Sequence, residues 1–326
     1  MRRLIATLVI LISIVATSCE LPGGDGNGDG DYTLVFEEPD HHQIWWPETT
    51  PAGDLLVFEW QLNDYNTAGG INGAPSQGPP PFPQHYTLCV IGLLDMETGT
   101  ARRLTNDPTQ YNDFLPHFST DESCVYFRRV DETQSHSSLC RVPLNGGESN
   151  VEHLSNQSVE IIWFDLFHDG MRALVSYLED GTYKTGAFDL ITGTITELEH
   201  ARDYISFALE LTEDEEEYLA LTWVGLDQSP SGYLITVHSI ENGEPYRIDV
   251  PPELEGYLRI FNLSPDHRSM VVNVGYCFDN NSYILSLNGG DPRQVVVDKS
   301  YVNEIHWAED GYIYFCIDGY LWRFKP

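Results

Sequence analysis

One short phrase recurs about every 45 to 50 residues, and this repeat constrains the fold more than any other feature of the chain. Each copy is an apolar strand, a tight acidic turn of the type Ser-Pro-Asp-Gly and a second apolar strand, as in residues 118–127 (FSTDESCVYF) and 263–272 (LSPDHRSMVV). An eroded first copy occupies residues 50–58. The turn acids of the other five copies are 48, 45, 52 and 44 residues apart, a period close to that of a four-stranded propeller blade; they are Asp121, Asp169, Asp214, Asp266 and Asp310.

The last repeat is one strand short, and the start of the chain holds a strand that belongs to no repeat. β-branched and aromatic segments bounded by Gly-bearing turns fill each unit, and no long stretch has helical periodicity. The sixth unit has three strand signals, whereas residues 32–38 (YTLVFEE) follow no turn of their own. Pairing this strand with the last blade would close the ring and hide two sheet edges. We therefore predict an all-β, six-bladed β-propeller over residues 32–326, with the N-terminal strand closing the last blade.

Residues around the acidic turns also carry a resemblance. Leu104-Thr105, followed by residues 116–121 (PHFSTD), is the clearest example, and Leu154-Ser155 and residues 263–266 (LSPD) echo it. In these residues the chain resembles the TolB-like propeller family over about residues 40–326. The turn glycine of that family is kept at Gly53, Gly170 and Gly311, and Ala52 stands where the first copy should have its acid. The resemblance implies that the turn acids fix the backbone of the turn and do not act on a ligand.

The first 18 residues predict a lipoprotein signal peptide. Arg2 and Arg3 precede an apolar run over residues 4–15, which is too short for a membrane span, and residues 16–19 (ATSC) resemble a bacterial lipobox. Cys19 is the predicted lipid attachment site. An ordinary secretory peptide cleaved near the same place is the alternative, and both interpretations place the mature protein outside the cytoplasm, in the cell envelope.

Residues 19–31 predict a flexible tether, because this Gly- and Asp-rich segment cannot bury a core. Its oxygen-bearing residues Asp25, Asn27 and Asp29 alternate as in the opening of a calcium loop. The twelfth position of such a loop needs an acid, and Phe36 stands there instead. Calcium is thus the one cofactor that the sequence suggests, and a solvated linker is the favoured interpretation.

The charge of the chain restricts its partners. The full sequence carries a net charge of −33, and loss of Arg2 and Arg3 with the signal peptide makes it −35. Such a surface repels nucleic acid and anionic lipid, so we expect no nucleic-acid partner and contact with the membrane only through the lipid anchor. An acid excess with three lysines is also typical of proteins from salty habitats, so the charge alone names no partner. We expect a monomer.

An odd number of cysteines follows Cys19, so at least one thiol is unpaired. We predict buried thiols, with a bridge between Cys124 and Cys140 as the alternative. The five residues are Cys89, Cys124, Cys140, Cys277 and Cys316.

The connections that precede the inner strands carry recurring aromatic and polar residues. In a propeller these connections lie on the face opposite the acidic turns, where they would surround the entrance of the channel and contact a small polar ligand. Capping of the channel against water is the alternative. Residues 63–84, a long Pro-rich loop on the same face, are a candidate lid or docking segment, or else a tolerated insertion. The candidate mouth residues are Tyr111, Asn112, Asp113, Tyr204, Tyr257, Tyr301 and Asn303.

No residue set forms a catalytic signature, and the chain lacks a Gly-x-Ser-x-Gly motif. Some propeller lyases hold a metal in the channel with several histidines, which makes His306 a weak metal candidate. His117 and His168 lie beside acidic turns, on the face we do not expect to bind the ligand, and His306 is expected to be isolated. The sequence therefore favours a binding or scaffold module for envelope proteins or a small polar ligand. The alternative is a metal-dependent carbohydrate-active enzyme that uses the channel.

Overall fold

The computed structural model describes residues 32–38, 43–62, 89–105, 111–131, 136–155, 158–198, 206–224, 232–241, 244–248, 250, 258–274, 281–295, 305–317 and 320–326. These residues form 24 strands and one 3-10 turn, Glu148–Asn150. None of the described residues forms a helix with the length and hydropathy needed to cross a membrane. The strands of the first three blades are β2 (Gln43–Thr49), β3 (Leu55–Gln61), β4 (Cys89–Asp95), β5 (Thr100–Arg103), β6 (Tyr111–Phe118), β7 (Cys124–Asp131), β8 (Ser137–Pro143), β9 (Glu152–His153), β10 (Glu160–Leu166), β11 (Arg172–Glu179), β12 (Thr182–Asp189) and β13 (Ile195–Glu197). Those of the last three blades are β14 (Ser206–Leu211), β15 (Glu217–Val224), β16 (Gly232–Ser239), β17 (Tyr246–Arg247), β18 (Leu258–Leu263), β19 (Ser269–Val274), β20 (Asn281–Ser286), β21 (Arg293–Gln294), β22 (His306–Trp307), β23 (Ile313–Ile317), β24 (Tyr320–Phe324) and β1 (Thr33–Glu37).

The strands form six four-stranded antiparallel sheets, which confirms the predicted number of blades. Five sheets each use four consecutive strands, from an inner strand to an outer one. The sixth has the order β1-β24-β23-β22, so the N-terminal strand is the outer strand of the last blade, as predicted. Thr33 lies opposite Arg323 and Glu37 opposite Tyr320. The ring of Tyr32 packs edge-on against Phe315 and Phe324, with centroids 5.7 and 5.4 Å away.

Middle strands of the blades are apolar on both faces, because each sheet is covered by the neighbouring blades. In β3, Leu56, Val57 and Phe58 are consecutive and all fully buried. Burial of each such side chain contributes about 1.5 to 3 kcal/mol. On the next strand Gly92 leaves room for the Phe58 ring, since a Cβ at that position would lie 2.5 Å from its Cζ. Packing of this density fixes the inner strands and hence the channel that they surround.

The acidic turns have the structural role that the resemblance implied. The carboxylate of Asp121 accepts a hydrogen bond from Ser123 N at 3.0 Å, and Asp214, Asp266 and Asp310 accept the equivalent bond from the residue two positions later. The residue directly after the turn acid, or after Ala52 in the first blade, has a left-handed backbone conformation in all six blades. Glycine occupies it in three blades, Gly53, Gly170 and Gly311, and the other three use Glu122, Glu215 and His267 at φ of 50 to 56°. Glu122, Glu215 and His267 therefore carry the conformational cost that glycine avoids.

The proposed bridge between Cys124 and Cys140 is absent, because the register of their hairpin separates the two residues. Phe127 lies opposite Cys140, and Cys124 lies opposite Pro143. Both cysteines are free thiols. Burial raises the pKa of the Cys140 thiol to about 12, which makes it unreactive. Cys89 and Cys316 are buried as predicted, and Cys277 lies outside the described residues.

Candidate functional site

The last but one residue of each inner strand is polar and lies two residues before the first residue of the acidic turn. The turns are aligned by a backbone hydrogen bond in which the carbonyl of the first turn residue accepts from the N–H three residues later. These first residues are Thr50, Ser119, Phe167, Thr212, Ser264 and Ala308. All six side chains line one cavity of ≈ 270 Å³ on the face of the acidic turns. We call this set the channel ring: Glu48, His117, Asp165, Glu210, Asn262 and His306.

Four members of the channel ring connect one blade to the next. Glu48 Oε1 accepts a hydrogen bond from Phe118 N at 2.8 Å, and Asp165 Oδ2 accepts one from Leu211 N at 2.7 Å. Glu210 accepts from the backbone N–H of the following blade in the same way. Asn262 Oδ1 does so as well, and its Nδ2 donates to Glu210.

The two histidines of the ring do not make this connection, and the first of them is ion-paired. His117 Nδ1 lies 2.7 Å from Glu48 Oε2. Burial lowers the pKa of His117, but the charge and hydrogen bond of Glu48, together with the nearby charges of Asp165 and Glu210, outweigh it and raise that pKa to about 9. His117 is therefore an imidazolium at neutral pH.

The second histidine, His306, is 9% exposed, and its Nδ1 has no hydrogen-bond partner among the described residues. Burial lowers the pKa of His306 to about 4, so its ring is neutral at pH 7. A neutral imidazole has one nitrogen that donates and one that accepts. The expectation that His306 is isolated is thus wrong, because it shares the cavity with Glu48, Asp165 and His117. His117 lies beside its acidic turn, as predicted, and lines the same cavity.

Two buried carboxylates complete the electrostatics of the ring. Burial, together with the charge of Asp165, raises the pKa of Glu210 to about 8. Burial also raises the pKa of Asp165, and the charge of His117 opposes that rise. The ring therefore holds more carboxyl groups than cations, and one of its carboxyl groups is largely protonated near neutrality.

Aromatic rings form part of the cavity wall, and two acids of the turns contribute to its lining. Trp46 and Trp163 pack edge to face with their centroids 5.0 Å apart, and the Trp46 ring lies 6.5 Å from that of His306. Glu122 and Glu309 contribute carboxylates to the described lining, which contains neither Lys nor Arg. His168, also in the lining, is an exposed residue whose Nδ1 lies 3.2 Å from Glu215.

The mouth residues predicted on the opposite face are described only in part. Asp113 is 2% exposed and forms a two-point ion pair with Arg129, at 2.7 and 2.8 Å. The ring of Tyr111 lies 4.6 Å from the Arg129 guanidinium, and Asn112 Oδ1 accepts a hydrogen bond from Cys89 N. These three side chains have partners within the fold. Tyr204, Tyr257, Tyr301 and Asn303, the loop 63–84 and the segment with Asp25, Asn27 and Asp29 lie outside the described residues, so a ligand mouth on that face stays a prediction.

A signal for the channel ring was present in the sequence. If the repeats are aligned on their turns, the position two residues before the turn is polar in all six copies, inside strands that are otherwise largely apolar. Its residue type changes from blade to blade, which hides the position from a search for a conserved phrase.

Comparison with known proteins identifies the architecture. Neither the protein-family models nor the curated proteins contain a match to the sequence. The putative TolB from Agrobacterium tumefaciens superposes with a TM-score of 0.55 at 13% identity, covering 82% of this chain and 90% of that one. TolB from Acinetobacter baumannii gives 0.52 at 12% identity over 73% of this chain, which spans 60% of that protein. The chain has the fold of the TolB-like propellers.

The same propeller fold occurs in an enzyme. Oligogalacturonate lyase from Vibrio parahaemolyticus superposes with a TM-score of 0.56 at 12% identity, covering 92% of this chain and 98% of the lyase. Identities this low establish a shared fold and no more. The fold alone therefore assigns no function to this chain, and the side chains of the channel have to be considered.

Proposed function

We propose that this chain is a lipid-anchored propeller of the cell envelope that binds a small polar ligand, or an extended segment of a partner protein, in the cavity of its channel ring. The observation that carries the proposal is His306, a buried imidazole with an unsatisfied nitrogen in the wall of an open cavity. Buried polar atoms in folded proteins nearly always have a partner, so an orphan in a cavity wall indicates a group that arrives from outside.

The remaining members of the ring suit a binding role. Four of them hold the blades together, which gives the cavity a rigid frame that does not need to reorganise when a ligand enters. Carboxyl, amide and imidazole groups from six different strands converge on one space, and aromatic rings lie beside them. Convergent polar groups in a partly apolar pocket are typical of small-ligand sites.

Site-specific photo-cross-linking in cells tests the proposal. A benzoylphenylalanine at Trp307, which lines the cavity, is expected to capture a ligand or partner on irradiation. The matched control places the same group at Tyr246, which is 54% exposed on the outer strand β17. Deletion of residues 63–84 in both variants shows whether that loop recruits the partner. Identical cross-linking patterns at the two positions would contradict binding in the cavity.

The anchor is tested separately. Radiolabelled palmitate should enter the wild-type protein and the Cys124→Ser variant, and the Cys19→Ser variant should lose both the label and its recovery with membranes. Cys124 is the partly exposed thiol among the described cysteines, which makes it a suitable control. Labelling that survives in Cys19→Ser would overturn the lipid attachment site and leave the cavity proposal intact.

The metal-dependent enzyme stays the alternative prediction from the sequence. Among the described residues, no three His, Cys, Asp or Glu side chains are grouped so that they could hold a metal ion. No observation on this part of the chain therefore favours it over binding. Elemental analysis of the purified protein distinguishes the two, since a stoichiometric transition metal that is lost in His306→Ala would favour the enzyme.

A further inference from the structure

Carboxyl groups dominate the described wall of the cavity. Glu48, Asp165 and Glu210 belong to the channel ring, and Glu122 and Glu309 lie closer to the acidic turns. The turns themselves add an exposed acid in several blades, including Asp121 and Asp214. No Lys or Arg side chain belongs to the described lining. An electric field of this sign concentrates cations at the opening.

We infer that the ligand of the cavity is an organic cation, an alkylammonium or guanidinium group on a short aliphatic stem, held by the carboxyl groups of the channel ring and the tryptophans beside them. The inference rests on the proposed function and names the chemical class of its ligand.

Among the carboxyl groups of the ring, Glu48 contacts the cation His117, whereas the charge of His117 acts on Asp165 and Glu210 without an ion-pair contact among the described residues. His117 is engaged by Glu48 at 2.7 Å. Asp165 accepts hydrogen bonds from the backbone of Leu166 and Leu211, and Glu210 accepts from Leu263 N and Asn262. Burial and the nearby charge of Asp165 outweigh the charge of His117 and raise the pKa of Glu210 to about 8. A cation between Asp165 and Glu210 would remove that penalty.

The orphaned His306 points to the same ligand independently of the acids. A neutral imidazole can accept a hydrogen bond through one nitrogen, and nothing in the described part of the chain donates to His306 Nδ1. An ammonium group has three N–H donors and a guanidinium has five. One such group can therefore donate to the imidazole and to carboxylates of the ring together.

The aromatic wall provides a third contact of the same type. Trp46 and Trp163 line the cavity beside the ring. The indole face attracts an ammonium or guanidinium ion, and the attraction is stronger where water is excluded. The aliphatic stem of the ligand would lie on the same surfaces.

Size limits the ligand to a short group. A cavity of ≈ 270 Å³ lies just below the usual range for small-molecule pockets. It suits a butylammonium or a single lysine or arginine side chain. Trp307 Nε1, a buried donor in the same lining with no partner in the described residues, could donate to a peptide carbonyl that accompanies such a side chain.

The test uses the full-length protein in detergent and isothermal titration calorimetry. The probes are n-butylammonium, Nα-acetyl-lysine amide and Nα-acetyl-arginine amide, with Nα-acetyl-norleucine amide as the uncharged match and butyrate as the anion. We expect a Kd of about 1 mM or tighter for at least one cation and no binding of the neutral and anionic probes. Binding of free butylammonium identifies a small amine as the source, and tighter binding of the lysine or arginine amide identifies a protein side chain.

Variants locate the site. Asp165→Asn and Glu210→Gln should each weaken cation binding by about tenfold or more, since a charge-assisted hydrogen bond is replaced by a neutral one. Glu152→Gln is the matched control, because Glu152 is an exposed acid on the outer strand β9. Thermal unfolding of each variant shows that it is folded, and His306→Phe offers a second site variant that keeps the ring charges.

Three results would overturn the inference. The first is no heat from any cation up to about 10 mM, roughly ten times the weakest expected Kd. The others are equal binding of the norleucine amide and unchanged affinity in both acid variants. The proposed function has its own readout, the cross-linking at Trp307. Site-selective cross-linking together with failure of the cations would reject only the ligand class, and loss of both results would reject the binding site itself.

Discussion

The ion pair between His117 and Glu48 predicts a measurable change when its acid is neutralised. In Glu48→Gln the amide oxygen can still accept from Phe118 N, so the connection between blades is kept while the charge is removed. The pKa of His117 is about 9 in the wild type, against an ordinary value of 6.5. Burial lowers the pKa of His117, whereas Asp165 and Glu210 still raise it in the variant, so we expect that pKa to fall toward its ordinary value. The full difference of about 2.5 units corresponds to about 3 kcal/mol, which is the upper limit of the change.

The same shift predicts how stability depends on pH. Because the folded-state pKa of His117 lies above its unfolded value, the contribution of the pair is fully present below about pH 6.5 and is lost as pH rises through about 9. The wild-type protein should therefore exceed Glu48→Gln in free energy of unfolding by up to about 3 kcal/mol at pH 6. That advantage should be largely gone at pH 10. The side chains of His117 and Glu48 are 23% and 14% exposed, so screening by solvent reduces the value only moderately.

Two measurements check this reasoning. The imidazole resonances followed by NMR give the pKa of His117 directly, and urea unfolding in reductant at pH 6, 8 and 10 gives the free energies. Glu215→Gln is the matched control, because Glu215 pairs with His168 at 3.2 Å while the His168 side chain is 67% exposed. An exposed pair is worth at most about 1 kcal/mol. Equal pKa values for His117 in wild type and Glu48→Gln, or equal pH dependence in both, would refute the assignment.

Three further substitutions test the packing and the turns by chemical denaturation. Arg129→Met should cost about 3 to 5 kcal/mol, since it leaves the 2% exposed Asp113 without its cation, whereas Arg141→Met, at an exposed pair, should cost less than about 1. Gly92→Ala should cost about 1 to 3 kcal/mol through overpacking, and an unchanged midpoint would contradict the close approach at that glycine. Glu122→Gly should stabilise the protein by about 1 kcal/mol, because φ is 55° there; a lower melting temperature would show that the Glu122 side chain matters more than its backbone.

The fold could be predicted because its determinants are local and repeated. The turn phrase fixes where each hairpin lies, and a last unit with three strands beside an orphan N-terminal strand leaves one way to close the ring. The candidate site could not be predicted in the same way. Along the chain, 69 residues separate Glu48 from His117, and 189 separate His117 from His306. They share one cavity because of the way the inner strands align around the channel. The ion pair between Asp113 and Arg129 could not be predicted either, because it depends on the register of the two strands.

The closing strand also determines the side from which an N-terminal lipid anchor would hold the protein. β1 begins where β24 ends, and Arg323, opposite Thr33, lies 3.7 Å from Asp310 in an acidic turn. Tyr32, just before β1, therefore lies at the edge of the face on which the cavity opens. If Cys19 carries a lipid, residues 19–31 reach no more than about 45 Å when fully extended. The opening of the cavity would then stay close to the membrane that holds the anchor. A partner wider than the distance between that membrane and the propeller could not enter the cavity.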